Sequence, residues 1–201
     1  MNEPFQPPPP VTSVTVTLPE WVGGVVDWER SYATDDERID LAIDLSRANV
    51  REGTGGPFGC AIFDLATGRV LGVGVNRVVP ACNSALHGEV VAIMTAQKRL
   101  GVFTLAADGR SAGLYTSCEP CAMCLGATLW SGVTRLVCAA TGDDAREIGF
   151  DEGPVFEQSY DYLQSRGIEV LRGLHRASAR DVLQSYLTSG GALYNGAPGQ
   201  P

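Results

Sequence analysis

The chain has only two histidines among its 201 residues, and no apolar run of the roughly 18 to 20 residues that a bilayer-spanning helix needs. Its start, MNEPFQPPPP, lacks the basic and apolar regions of a secretory signal, so the expected address is the cytoplasm. Lys and Arg form no cluster, and a net charge of −8 with a pI near 4.7 repels polyanions. These absences disfavour membrane and nucleic-acid functions and favour a small neutral substrate. What the chain does have is 44% hydrophobic composition, enough for the core of one domain with tails. It also has six cysteines, and Cys118, Cys121 and Cys124 fall within seven residues. Without an export signal, that crowding points to metal chemistry rather than disulfides. The three also read as C-x-x-C-x-x-C, but the fourth cysteine of a ferredoxin-type run is missing. Cys118 is expected at a strand end, and Cys60, Cys82 and Cys138 as buried small residues.

The proline-rich residues 1–10 cannot contribute a packed element. Val14, Val16 and Leu18 alternate with threonines, as in an edge strand or an arm onto a partner, until Pro19. Residues 1–33 therefore read as an extension. Thr34 and Glu37 form a capping box opening a helix over about 35–51. Runs at 58–65 and 70–79, joined at Thr67-Gly68, make an antiparallel hairpin. A helix follows over 87–100, stopped by Gly101, then a short strand at 114–116, a helix over 121–130 and a strand at 136–140. A short helix from Asp143, a strand at 168–171 and a helix over 177–187 complete residues 34–188, the catalytic domain. Alternating strands and helices require parallel strand pairs covered by helices. Residues 189–201, with Tyr194, are a tail that stays flexible unless captured.

His87-Gly88-Glu89 opens one of these helices, and Pro120-Cys121-Ala122-Met123-Cys124 opens another. One imidazole and two thiolates fill three tetrahedral positions on Zn²⁺ and leave the fourth for water, as a catalytic site requires. A helix N-terminus favours thiolates through its dipole, and Pro120 suits the first turn because it has no amide proton. Glu89, two residues past a ligand, lies near the metal without binding it. From there it takes a proton from a water whose pKa the metal lowers to about 7. H-x-E…P-C-x-x-C is the pattern of zinc deaminases.

On these motifs the chain resembles the cytidine deaminase-like superfamily, and within it the bacterial guanine deaminases, over about residues 36–161. The stretch TSCEPCAMCLGATLW is similar to that group's cysteine motif. The resemblance implies a three-layer α/β/α sandwich around a five-stranded mixed sheet, one Zn²⁺, and a homodimer. It assigns a second acid to Glu152, within Gly149-Phe150-Asp151-Glu152, and substrate contacts to Phe58, Asn76 and Gly88. It further implies a C-terminal tail that swaps onto the neighbouring subunit, with Tyr186 or Tyr194 closing the pocket. Leu86-His87-Gly88-Glu89 instead resembles fungal cytosine deaminases. The leading expectation is hydrolytic deamination of a free guanine-type purine or its nucleoside. The alternatives are a cytosine, cytidine or amino-triazine deaminase, a tRNA adenosine deaminase, and a non-catalytic zinc module.

Overall fold

The structure is a computed structural model that describes residues 8–196. The last residues of the predicted tail and the first seven of the extension lie outside this range. A short helix, α1 (Val22–Val25), precedes α2 (Asp35–Arg51), which begins at the predicted capping box: Thr34 accepts from the Glu37 N–H and Glu37 from the Thr34 N–H. The predicted hairpin is β1 (Gly59–Asp64) and β2 (Val70–Val75), paired antiparallel. Then come α3 (Gly88–Leu100), ended by left-handed Gly101, β3 (Ala112–Cys118), α4 (Ala122–Ser131) and β4 (Arg135–Ala140). The chain continues through α5 (Gly142–Glu147), α6 (Glu157–Ser165), β5 (Glu169–Arg172) and α7 (Arg176–Thr188).

The sheet order is β2-β1-β3-β4-β5, antiparallel on the β1 side and parallel from β3 onward. Side chains alternate across it with period two. Phe63, Tyr115, Val137 and Ala139 face a core closed by α2 and α7, and Ile62, Leu114, Leu136 and Cys138 face one closed by α3, α4 and α6. The three layers follow, as expected. Among the described residues, no helix is long and apolar enough to cross a membrane.

Three expectations need correction. Val14–Leu18 is not an edge strand: among the described residues it pairs with no strand, and Val14 is 72% exposed, which leaves the other expectation, an arm onto a partner. Cys82 is exposed, not buried, on a turn with φ 49°. Pro120 lies one residue ahead of the N-cap Cys121, so it shapes the approach to α4 rather than its first turn.

The pitch of α3 against the sheet decides where His87 and Glu89 sit, and two glycines of β2 set it. A Cβ on Gly74 would stand 2.1 Å from the Gly88 carbonyl oxygen, and one on Gly72 2.5 Å from the Ala96 nitrogen. Both obstacles are helix backbone, which cannot rotate away. Gly74→Ala is therefore expected to cost about 3 kcal/mol by overpacking. It should appear as a lower urea midpoint at unchanged m-value.

Candidate active site

The cluster forms where two helix N-termini meet beyond the carboxyl end of β3. His87 is the extended N-cap of α3, so its imidazole points back out of the helix, and Glu89 follows in the first turn. Cys121 is the extended N-cap of α4, and Cys124 lies one turn along on the same face. The ligand atoms of His87, Cys121 and Cys124 all lie within 4.8 Å of one another, with His87 Nδ1 and Cys121 Sγ 3.4 Å apart. Glu89 is buried beside them: its Oε1 accepts from Thr116 Oγ1 at 3.3 Å and its Oε2 from Cys124 Sγ at 3.3 Å.

The electrostatics are those of a site built for a cation. The Cys124 hydrogen bond and then His87 pull the Cys121 thiol down to about 4, while that same bond and burial push Cys124 well up. For His87, burial works against the charged ring, but the bond to Cys121 and the negative charges of Cys121, Glu89 and Glu152 outweigh it, so its pKa rises. Burial raises Glu89, and the Cys121 charge adds to the effect. Two thiols, an imidazole and a carboxyl thus compete for protons in one buried space, a conflict that a soft divalent cation resolves. The donor set and its two helix N-termini fit Zn²⁺ with one position left open.

In front of the cluster is a cavity of about 300 Å³, reached by His87, Glu89, Cys121, Phe58, Phe150 and Glu152 among others. Phe58 lies just before β1, half-buried, edge-on to Phe150 at 5.0 Å between centroids. The loop after α5 carries Glu152, whose backbone carbonyl accepts from the Ala122 N–H at 3.0 Å, tying it to the start of α4. Its carboxyl is buried; desolvation, then the charges of Cys121 and Glu89, push it up to about 8.

The tail folds back onto this chain's own cavity. Tyr194 packs on Phe150 at 4.9 Å, with its hydroxyl so close that a Cβ on Gly56 would stand 2.0 Å from it. Asn195 fastens the tail, accepting from the Asp151 N–H at 3.0 Å and donating to the Gly149 carbonyl at 2.9 Å. Tyr186 instead sits in the core, its hydroxyl donating to the Ala192 carbonyl.

Asn76 and Gly88 stand behind the cavity rather than on its lining. Asn76 is fully buried; its Oδ1 accepts from the Val78 N–H, while its Nδ2, like the Tyr194 hydroxyl, has no partner among the described residues. Gly88 is buried against the Phe58 carbonyl. Sequence reasoning passed over Asn195 and Glu119. Glu119 is buried, joined to Arg172 of β5 at 2.5 Å and accepting from the Gly142 N–H of α5 at 2.8 Å. The available signal was an acid next to the cysteine motif.

This fold and this site together define a zinc-dependent deaminase. The chain belongs to the cytidine and deoxycytidylate deaminase zinc-binding family, whose model matches residues 33–140. Guanine deaminase of Bacillus subtilis is 39% identical to it over 120 residues, 60% of this chain and 73% of that protein. A probable cytosine deaminase of Schizosaccharomyces pombe is 34% identical over 122 residues, 57% of this chain and 69% of that protein. Among solved structures, guanine deaminase from Nitrosomonas europaea superposes with a TM-score of 0.83 at 41% identity, covering 88% of this chain and 97% of that one. NE0047 in complex with 2,6-diaminopurine gives 0.85 at 42%, covering 91% and 97%.

Proposed function

We propose that the protein is a guanine-type purine deaminase, hydrolysing the exocyclic amine of a free base and releasing ammonia. The observation that carries this is a second buried carboxyl, Glu152, lining the same cavity as Glu89, His87 and Cys121. A zinc cation held beside it would favour its ionised form, and a carboxylate accepts hydrogen bonds, so it suits a ring rich in N–H donors; cytosine offers fewer. The likeness to two guanine deaminases over most of the domain supports the same ring.

His87, Cys121 and Cys124 would hold Zn²⁺, which when bound supplies the Lewis acidity that makes water a nucleophile near neutral pH. Glu89 takes a proton from the attacking water and passes it to the adjacent ring nitrogen, then to the departing amine. Glu152 accepts from the ring N–H edge. Phe58 and Phe150 flank the ring, and the hydroxyl of Tyr194, which lines the cavity, is a buried group that a heterocycle's polar edge would satisfy. Tyr194 and Asn195 narrow the cavity and so limit water around the ring. Exposed Phe103 (88%) and Trp130 (77%) support a homodimer that covers them. Six cysteines without a disulfide suit the cytoplasm.

The test is ammonia release from zinc-loaded protein with guanine, guanosine, adenine, cytosine, cytidine and amino-triazines. Guanine is the expected substrate, and release from cytosine or cytidine alone overturns the reading. Glu152→Gln, which replaces an acceptor by a mixed donor and acceptor, is expected to lower kcat/KM for guanine about 100-fold. Unchanged activity would remove Glu152 from the site.

A further inference from the structure

Behind the wall that Glu119 and Glu152 form, a second cavity of about 190 Å³ opens. Both carboxylates line it as well as the front cavity, so the two spaces lie on either side of the same pair of side chains. Its outer rim is made of exposed residues, among them Asp143, Arg146, Phe156 and Glu157, so the space runs from the surface inward to the wall. At the buried end is Tyr160, 5% exposed, whose hydroxyl has no hydrogen-bond partner among the described residues. The two guanidinium groups are already engaged. Arg172 binds Glu119 and Glu157 and stacks on the Tyr160 ring at 4.1 Å, and Arg146 binds Asp143 at 3.0 Å. The remaining polar groups inside are acceptors or a hydroxyl, which suits a small N–H donor.

We propose that this rear cavity is the exit for ammonia, passing from Glu152 to the Tyr160 hydroxyl and out past Phe156. This rests on the deaminase reading above. The need for a rear exit follows from the front. Tyr194 and Asn195 stand over part of the front cavity, and the deaminated ring still fills its mouth, between Ser84, Met123 and Asp151, when the C–N bond breaks. The balance is simple: water adds its oxygen to the ring carbon, the exocyclic C–N bond breaks, and the water's protons leave on the amine and the ring. Neutral ammonia then takes a proton from bulk solvent at the surface.

Two variants test it in the zinc-loaded enzyme. Val155 is a half-buried residue on the rear cavity's lining, so Val155→Phe narrows the passage without touching the front. Its kcat is expected to fall about fivefold or more at unchanged KM, with an unchanged melting temperature, as a slowed release step requires. Tyr160→Phe keeps the ring under Arg172 and removes only the hydroxyl. In the native enzyme, ammonium chloride is expected to inhibit noncompetitively with respect to the base, and Tyr160→Phe is expected to weaken that inhibition about threefold. Unchanged kcat in a folded Val155→Phe, or ammonium inhibition that competes with the base, overturns the exit. If Val155→Phe does not fold, the inhibition pattern and Tyr160→Phe decide alone. A native enzyme inactive on guanine would instead sink the guanine reading; the same comparison is then run with whichever amino-heterocycle is turned over, since each releases ammonia.

Discussion

Glu89→Gln is expected to lower kcat for ammonia release by about 10³-fold or more, at unchanged zinc content and with a melting temperature equal to or above the native value. The size of the effect follows from the site. Glu89 reaches the cluster through one oxygen and Thr116 through the other, so no second carboxylate can take over its proton at the same place. Glu152 shares the cavity but is held to the start of α4 from the opposite side. The stability half of the prediction is what separates a catalytic loss from a folding defect. A carboxyl buried beside thiolates is costly in its ionised form, which is why its pKa is raised. A glutamine amide keeps the acceptor for Thr116, offers a donor toward Cys124, and carries no charge. Zinc analysis, calorimetry and initial rates on one preparation check it. A Glu89→Gln enzyme within tenfold of native kcat would show that proton transfer runs through another group.

The parts of this site that were legible in the sequence are those fixed by local physics. Thr34 and Glu37 announced α2 because a capping box closes within one turn, and Gly101 announced the end of α3 because a left-handed C-cap favours glycine. His87, Cys121 and Cys124 were legible because ligands at a helix N-cap or in its first turn keep a fixed spacing from the helix. Elements defined by distant neighbours were not. The alternation at Val14–Leu18 has the period of a strand, yet β2 is the sheet's edge on that side and ends without accepting it. Helix α6 escaped because its inward face shows only Tyr160 and Leu163, an apolar stripe too thin to stand out. Glu119 looked like an incidental acid within a motif. Its meaning depends on Arg172, 53 residues later, and on a backbone N–H of α5. Glu152 could be placed only by resemblance, because what brings it to the cluster is one backbone hydrogen bond to Ala122.

His87→Ala is expected to abolish stoichiometric zinc binding and, with it, all measurable turnover. Two thiolates from one helix remain in that variant, but they come from a single segment, and nothing from α3 completes the tetrahedron. His87 is also the one ligand that comes from α3, so its loss leaves the metal held from the α4 side alone. Stability responds in the same direction. In the native protein zinc binds the folded state, and excess metal raises stability by RT ln(1 + [Zn]/Kd), about 4 kcal/mol at a thousandfold excess over Kd. Chelation should therefore lower the native melting temperature by about 8–16 °C, at roughly 2–4 °C per kcal/mol for a chain of this size. Applied to His87→Ala, the same chelator should change nothing. A chelator-insensitive native protein, or a variant that still binds one equivalent of zinc, would mean that the metal is held elsewhere. The double comparison is the stronger form of the test, because a general folding defect lowers the variant's melting temperature without removing its response to chelator. Loss of that response is specific to the site, since it requires that the folded variant no longer distinguishes metal from buffer. The three ligands and Glu89 then stand or fall as one unit: zinc content reports the ligands, and turnover at full zinc content reports the glutamate.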